Sequence, residues 1–340
     1  MSIICGMNGF GRFGLHLLSN YLELIDSAQF EIKYINDDFL SIHEAFHILT
    51  TDKYVRLYEK YDIAIENDYL VFNGKIKIQY TNQSAENIPW LGIPDVFLEC
   101  SGKYTDANKA REFKTGNTEF VLISATSMNA DQMLVYGFNH TNLQRSSDVI
   151  SYGSCTVNAF TPLVEILHGF LDITSADVNV IHNLPEHHLE DESKNTLNRC
   201  SCTLSKVAPQ LLDCISDDNF HVNYTLIPYS GVSIFDYSFG FNNKKSVDEI
   251  IEYLTVEMSN GSLENLYSIN ENDTGPECHL NTRFSAVLIK ENINVKNDKL
   301  YIHSYFDNEN SANRFFDLTN YVSSVMIADE EPERKVSSVL

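Results

Sequence analysis

The order of apolar and polar positions divides this chain into two parts with different rhythms. In the first, short apolar runs alternate with stretches of helical period. Residues 2–7 are strand-like and lead into Asn8-Gly9-Phe10-Gly11-Arg12-Phe13-Gly14. Leu15, Leu17, Leu18, Tyr21, Leu22 and Leu24 then form the apolar stripe of an amphipathic helix. Residues 30–35 read as a second strand, closed by Asn36-Asp37-Asp38, and complete a βαβ unit. Residues 69–80 alternate about Asn73-Gly74, which predicts a hairpin. Residues 96–99 and 120–124 are short buried strands, with helical sequence around 106–113 between them. This alternation predicts an α/β domain over residues 1–153, built on a largely parallel, doubly wound sheet.

Beyond residue 153 the pattern changes. Residues 156–171 read as a helix, with apolar positions 160, 163, 164, 167 and 170. Residues 178–182 form a strand, 183–202 a long polar loop and 205–214 a helix. Residues 224–239, 284–289 and 299–305 are strand-like. More strands and fewer crossovers predict an α+β domain with a mixed sheet over residues 154–311. Residues 314–326 read as a closing helix, placed at about 312–327 and expected to pack back on the first domain. A charged, flexible tail is expected over 328–340.

Composition narrows the function classes. The 340 residues carry a formal net charge of −23, which argues against nucleic acid or anionic membrane as partners. No apolar run is long enough to span a bilayer, and the start MSIICGMNGFG lacks the basic segment of a signal peptide. The cytoplasm is the expected compartment. Seven cysteines form an odd, irregular set, read as free thiols rather than a disulfide scaffold. Cys200 and Cys202 lack a second pair at zinc-site spacing, so no metal is expected.

Two features carry chemistry. Gly9-x-Gly11-x-x-Gly14 lies between a strand and a helix, the context of a Rossmann dinucleotide loop. Gly9 permits the turn, Gly11 lets the backbone approach a pyrophosphate, and Gly14 allows close helix–strand packing. Asp37 ends the next strand, where a carboxylate accepts ribose hydroxyls and repels a 2′-phosphate; the expected cofactor is NAD. Cys155 sits just before a helix, whose N-terminal N–H groups favour a thiolate and form an oxyanion hole. His182, at a strand end, is a candidate base. By residue type alone, a buried small hydrophobe and a satisfied polar residue are the competing readings of this pair.

Several segments together resemble one family, the glyceraldehyde-3-phosphate dehydrogenases. Asn8-Gly9-Phe10-Gly11-Arg12 resembles its opening motif, and Asn36-Asp37 its ribose-binding pair. Glu99-Cys100-Ser101-Gly102 is similar to its E-S-T-G segment, and Ser124-Ala125-Thr126 to its S-A-P segment. Ser154-Cys155-Thr156-Val157-Asn158 is similar to the S-C-T-T-N motif around its nucleophile. Tyr305-Phe306-Asp307-Asn308-Glu309, followed by Asn313-Arg314, resembles its W-Y-D-N-E…N-R segment. The resemblance runs from residue 2 to about 325. It implies a Cys155 thiolate that attacks an aldehyde, His182 as base, hydride transfer to the nicotinamide, and a thioester released by inorganic phosphate or water. It also implies cofactor contacts from Asn8 to Gly14, Asp37, Ser101, Gly102 and Ser124, with Asn308 on the nicotinamide carboxamide.

The departures concern the substrate. The family's H-A-Y-T becomes His182-Asn183-Leu184-Pro185, its R-V-P becomes Leu226-Ile227-Pro228, and its S-T-G turn becomes Cys202-Thr203-Leu204. A phosphate-clamp threonine and an arginine are thereby lost. A guanidinium–phosphate hydrogen bond contributes about 1.5–3 kcal/mol. An altered aldehyde substrate is therefore expected. Ser154, Thr156 and Thr203 remain as hydroxyls for inorganic phosphate. Arg199, Lys194 and His187-His188 are available to rebuild a clamp, unless they are simply solvated loop charges. The segment 183–202 is shorter than in the family, where it lies at a tetramer centre; a homo-oligomer, dimer or tetramer, is expected. Two other readings compete: a non-catalytic NAD-binding regulatory homologue, and a semialdehyde-type reductase. Asp37 and the D-N-E segment weigh against the reductase.

Overall fold

The structure, a computed structural model, describes residues 2–184, 189, 191 and 195–337. The chain divides into two compact units: Met1–Gly153 together with Ala312–Leu340, and Ser154–Ser311.

The first unit opens with β1 (Ile3–Asn8), α1 (Arg12–Glu23) and β2 (Phe30–Asn36). Leu15, Leu17, Leu18, Tyr21 and Leu22 of α1 are buried, as a 3.6-residue period demands. Next come α2 (Ile42–Thr51), β3 (Ile63–Glu66), β4 (Tyr69–Phe72), β5 (Ile76–Thr81) and β6 (Val96–Glu99). A single helical turn, α3 (Ala107–Ala110), precedes β7 (Phe120–Ile123), β8 (Gln132–Met133) and β9 (Val149–Ser151). The nine strands run in the order β3-β4-β5-β2-β1-β6-β7-β9-β8. All pairs are parallel except β3 with β4 and β4 with β5. The hairpin β4–β5 turns through Asn73 and Gly74, at φ 51° and 64°. Phe13 packs edge-on against Tyr152 and Phe315, which ties α1 to the helix Ala312–Ser337. That helix runs past the end of its apolar pattern, through most of the expected tail. Once a helix is nucleated, each further residue adds a hydrogen bond at low cost.

The second unit contains α4 (Cys155–Leu171), β10 (Ile173–His182), β11 (Asn198–Arg199), a helix Leu204–Leu211, β12 (Phe220–Leu226) and β13 (Ser233–Phe241). A helix Val247–Asn260 follows, then β14 (Tyr267–Asn270), β15 (Ala286–Ile289), β16 (Asn294–Lys296) and β17 (Lys299–Phe306). The sheet is mixed, in the order β11-β12-β10-β13-β17-β15-β14 with β16 on β17. Phe160 of α4 lies against Phe235, Tyr237 and Phe239 of β13, so one face of this sheet is covered by α4.

Three of the elements that differ from the sequence expectation have a local cause. The apolar run 224–239 is two strands, because Pro228 has no N–H for a ladder and the chain reverses at Tyr229, whose N–H donates to Ile227 O at 2.8 Å. Helices α2 and Val247–Asn260 are additional. Each starts in a capping box, Ser41 with Glu44 and Ser246 with Glu249.

Candidate active site

In the first unit, Asn8, Asn36, Glu99 and Ile123 stand side by side in register at the carboxyl ends of four adjacent parallel strands. The loop Gly9–Gly11, Asp37, Ser101, Gly102 and Ser124 all follow directly from these ends. Strand β1 has β2 on one side and β6 on the other, so this is the switch point at which doubly wound sheets take ligands. The glycines have separate tasks. Gly9 has φ +100°, and an added Cβ would lie 2.4 Å from Ser101 N. At Gly14 a Cβ would meet Gly9 O at 2.3 Å. At Gly11 nothing lies within 4 Å of that position.

Buried polar groups hold the loop. Asn36 Nδ2 donates to Asn8 Oδ1 at 2.9 Å, and Asn8 Nδ2 donates to Glu99 Oε2 at 2.8 Å. The Ser101 N–H reaches Glu99 Oε1 at 2.8 Å. Burial pushes the Glu99 carboxyl up, against these hydrogen bonds from Ser101 and Asn8. The Ser124 N–H donates to Glu99 O at 2.9 Å. Asp37 accepts from Phe10 N at 2.7 Å and from Phe39 N and Leu40 N at 2.9 Å each. Two named candidates serve the fold itself: the Phe10 ring is in the core, and the Phe13 ring packs on Tyr152 and Phe315. Arg12 pairs with Asp52.

These residues fit a dinucleotide. Gly11 is open, and α1 has no side-chain cap at its N-terminus, leaving N–H groups for a pyrophosphate. A carboxylate has about four lone-pair positions; Asp37 accepts three backbone bonds and keeps room for a ribose hydroxyl.

In the second unit, Ser154 caps α4 by accepting the Val157 N–H at 3.3 Å, and this places Cys155 on the first turn. Cys155 Sγ lies 3.6 Å from His182 Nε2. The other ring nitrogen, Nδ1, is 2.8 Å from Asn183 O, so it carries the proton and donates it there. Asn183 is held in turn by Ser233: its N–H donates to Ser233 Oγ at 3.0 Å, and Ser233 Oγ donates to Asn183 Oδ1 at 2.6 Å. Burial pushes the His182 pKa down, opposed by its bonds to Asn183 and the Asn308 side chain.

The thiol corrects an expectation. Burial, then the neighbouring Cys202, push Cys155 up to about 12, although the N–H groups of Thr156 and Cys155 act in the opposite sense. A helix N-terminus alone favours a thiolate, but desolvation is larger here. The resting pair is therefore thiol and neutral imidazole. Ser154 Oγ lies 3.1 Å from Thr156 Oγ1, which lies 3.6 Å from Cys202 Sγ. All seven cysteines are free.

Sequence comparison fits this geometry. Residues 3–107 match the profile of the glyceraldehyde 3-phosphate dehydrogenase NAD binding domain. Glyceraldehyde-3-phosphate dehydrogenase B of Aspergillus oryzae is 28% identical, over 96% of this chain and 99% of its own. The glyceraldehyde-3-phosphate dehydrogenase of Phaeosphaeria nodorum is 27% identical, with the same coverage of 96% and 99%. That of Hypocrea atroviridis is 35% identical over 54% of this chain and 53% of its own. Over nearly its whole length this chain is thus similar to glyceraldehyde-3-phosphate dehydrogenases, at the low identity of a divergent relative.

Its divergence from that family has a direction in space. His182 on β10 pairs in parallel register with Leu226 on β12, so both side chains stand on the sheet face that α4 covers. Arg199 on β11 pairs with Thr225, one position off, and therefore projects from the other face. There it is exposed and donates to Asn223 Oδ1 at 3.1 Å. The structure thus brings Cys155, His182, Ser154, Thr156 and Asn308 together but not Arg199. Thr203 precedes the helix Leu204–Leu211 and follows the buried Cys202. Pro185, His187, His188 and Lys194 lie outside the described residues. Sequence reasoning missed Tyr224, whose ring centroid is 5.4 Å from that of His182. The signal was available: it lies two positions before Leu226 on the same strand face.

Proposed function

We propose that this chain is an NAD-dependent aldehyde dehydrogenase of the glyceraldehyde-3-phosphate dehydrogenase type, acting through a thioester on Cys155. The observation that carries this reading is the 3.6 Å approach of Cys155 Sγ to His182 Nε2, the one ring nitrogen left to accept a proton. Sγ attacks the carbonyl carbon, and the S–C bond forms as the thiol proton passes to Nε2. The new oxyanion is held by N–H groups at the start of α4 and takes the proton back from His182, giving a hemithioacetal. Bound NAD would supply the acceptor for the hydride that this carbon loses, while His182 Nε2 takes the hemithioacetal O–H proton, leaving the thioester. Water or inorganic phosphate then adds to the thioester carbon, the C–S bond breaks, and His182 returns a proton to sulfur. Ser154 and Thr156 supply hydroxyls near the nucleophile for an incoming phosphate.

The proposed aldehyde lacks a terminal phosphate. On β10, β11 and β12, the His182 face presents no arginine or lysine among the described residues. A dianion buried without a cation loses hydration with no return. The test is NADH formation with glyceraldehyde 3-phosphate and with unphosphorylated aldehydes, each with and without inorganic phosphate, beside Cys155→Ser. Turnover confined to unphosphorylated aldehydes is expected. Efficient phosphate-dependent oxidation of glyceraldehyde 3-phosphate would overturn the altered substrate.

A second reading is a non-catalytic NAD-binding homologue, in which burial keeps the Cys155 thiol protonated and unreactive. A selective alkylating probe separates the two. A Cys155 no more reactive than the exposed Cys278 supports the non-catalytic reading. We further propose that the chain acts as a homo-oligomer in the cytoplasm; sedimentation of a monomer alone would sink the assembly.

A further inference from the structure

We infer that Tyr224 is a specificity-determining residue of this site, selecting aldehydes whose chain is uncharged and carries a hydroxyl. The inference rests on the dehydrogenase reading above and adds the class of substrate.

Tyr224 and His182 project from neighbouring parallel strands onto one face, their rings 5.4 Å apart and tilted by 41°. Phe306 meets the His182 ring edge-on, at 5.8 Å. The imidazole thus sits among two aromatic rings and the Cys155 sulfur. The phenol of Tyr224 is pushed well above its ordinary range by burial and then by Cys155, Cys202 and Cys200. It therefore lies among these thiols and keeps its proton at any pH the protein meets. Among the described residues, its hydroxyl has no hydrogen-bond partner. A half-buried O–H on the His182 face that bonds no described residue is suited to a ligand oxygen.

The chemistry of the group defines the ligand. A neutral phenol donates one hydrogen bond and accepts others, which suits an alcohol. It cannot neutralise a phosphate, and Leu226, two positions on, offers no polar atom at all. A site that bonds a substrate hydroxyl discriminates against the analogue lacking it, because its own polar group is then left unpaired.

The experiment compares kcat/KM for glyceraldehyde and propionaldehyde in wild type and Tyr224→Phe. The substitution keeps the ring, and an unchanged melting temperature verifies the fold. The ratio of glyceraldehyde to propionaldehyde is expected to fall about five- to tenfold, the size of one net hydrogen bond. An unchanged ratio overturns the inference, as does a wild type that prefers glyceraldehyde 3-phosphate to glyceraldehyde. Acylation of Cys155, read as a mass increase with NAD and aldehyde present, separates the two levels. No acylation by any aldehyde overturns the dehydrogenase reading and this inference together. Acylation with an unchanged ratio overturns this inference alone.

Discussion

His182 and Arg199 project from opposite faces of one sheet. The single arginine of residues 183–202 is therefore turned away from the nucleophile. Arg199→Ala is expected to change kcat/KM for any aldehyde by less than about twofold, as ordinary surface substitutions do. Leu226→Arg puts a guanidinium on the His182 face. It is expected to raise the preference for glyceraldehyde 3-phosphate over glyceraldehyde by at least about tenfold. Steady-state kinetics on both variants checks the pair of expectations.

Cys155→Ser removes the nucleophile from a unit that does not contain the glycine loop. Turnover is expected to fall by at least about a thousandfold, with the NAD dissociation constant unchanged. Fluorescence titration with NAD beside a single-turnover assay reads both. Residual activity within tenfold of wild type would remove Cys155 from the chemistry.

The pH dependence has a defined sign. His182 must be neutral to accept the thiol proton, and its pKa lies below the ordinary 6.5. Loss of kcat/KM on the acid side is expected only below that value. For stability, a buried imidazole with a lowered pKa weakens the fold once pH drops under 6.5, because the unfolded chain takes up the proton first. The raised Cys155 thiol acts at the other end. Its contribution is whole below the ordinary 9.0 and is lost as pH climbs from there towards about 12. Thermal melts at about pH 8 and about pH 10.5 should show a smaller alkaline loss for Cys155→Ser than for wild type.

Gly9→Ala and Gly11→Ala should separate folding from cofactor binding. The first forces an alanine to φ +100° with its Cβ against Ser101 N, and a loss of about 1–3 kcal/mol is expected from the backbone alone. The second meets nothing within 4 Å. Its stability should stay within about 0.5 kcal/mol of wild type, while NAD binding weakens because the Cβ occupies the approach to the helix N-terminus. Equal NAD affinity for Gly11→Ala would argue that the loop does not cradle the cofactor.

Much of this architecture is legible in the sequence because its causes are local. The stripe of α1, the turn at Asn73-Gly74 and the cap at Ser154 each need only a few neighbouring residues. The capping boxes of α2 and of Val247–Asn260 were equally local, and would have revealed both helices. The orientation of Arg199 was not legible, since it depends on strand register, where one step exchanges the two faces. Nor was the support of Asn183 by Ser233, which joins positions distant in the chain. The thiol pKa failed for a third reason: a helix terminus can be read from spacing, whereas the desolvation that outweighs it comes from the whole tertiary surround.

The clamp of Asn183 on His182 makes the imidazole a built-in reporter. With the Nδ1 proton committed to a carbonyl, the two ring nitrogens are chemically unlike: one pyrrole-type, one pyridine-type. In a nitrogen-15 spectrum they should appear as two well-separated resonances rather than the averaged pair of a free imidazole. Alkylating the Cys155 sulfur should shift the pyridine-type line and leave its partner almost still, giving the site a spectroscopic address that needs no substrate.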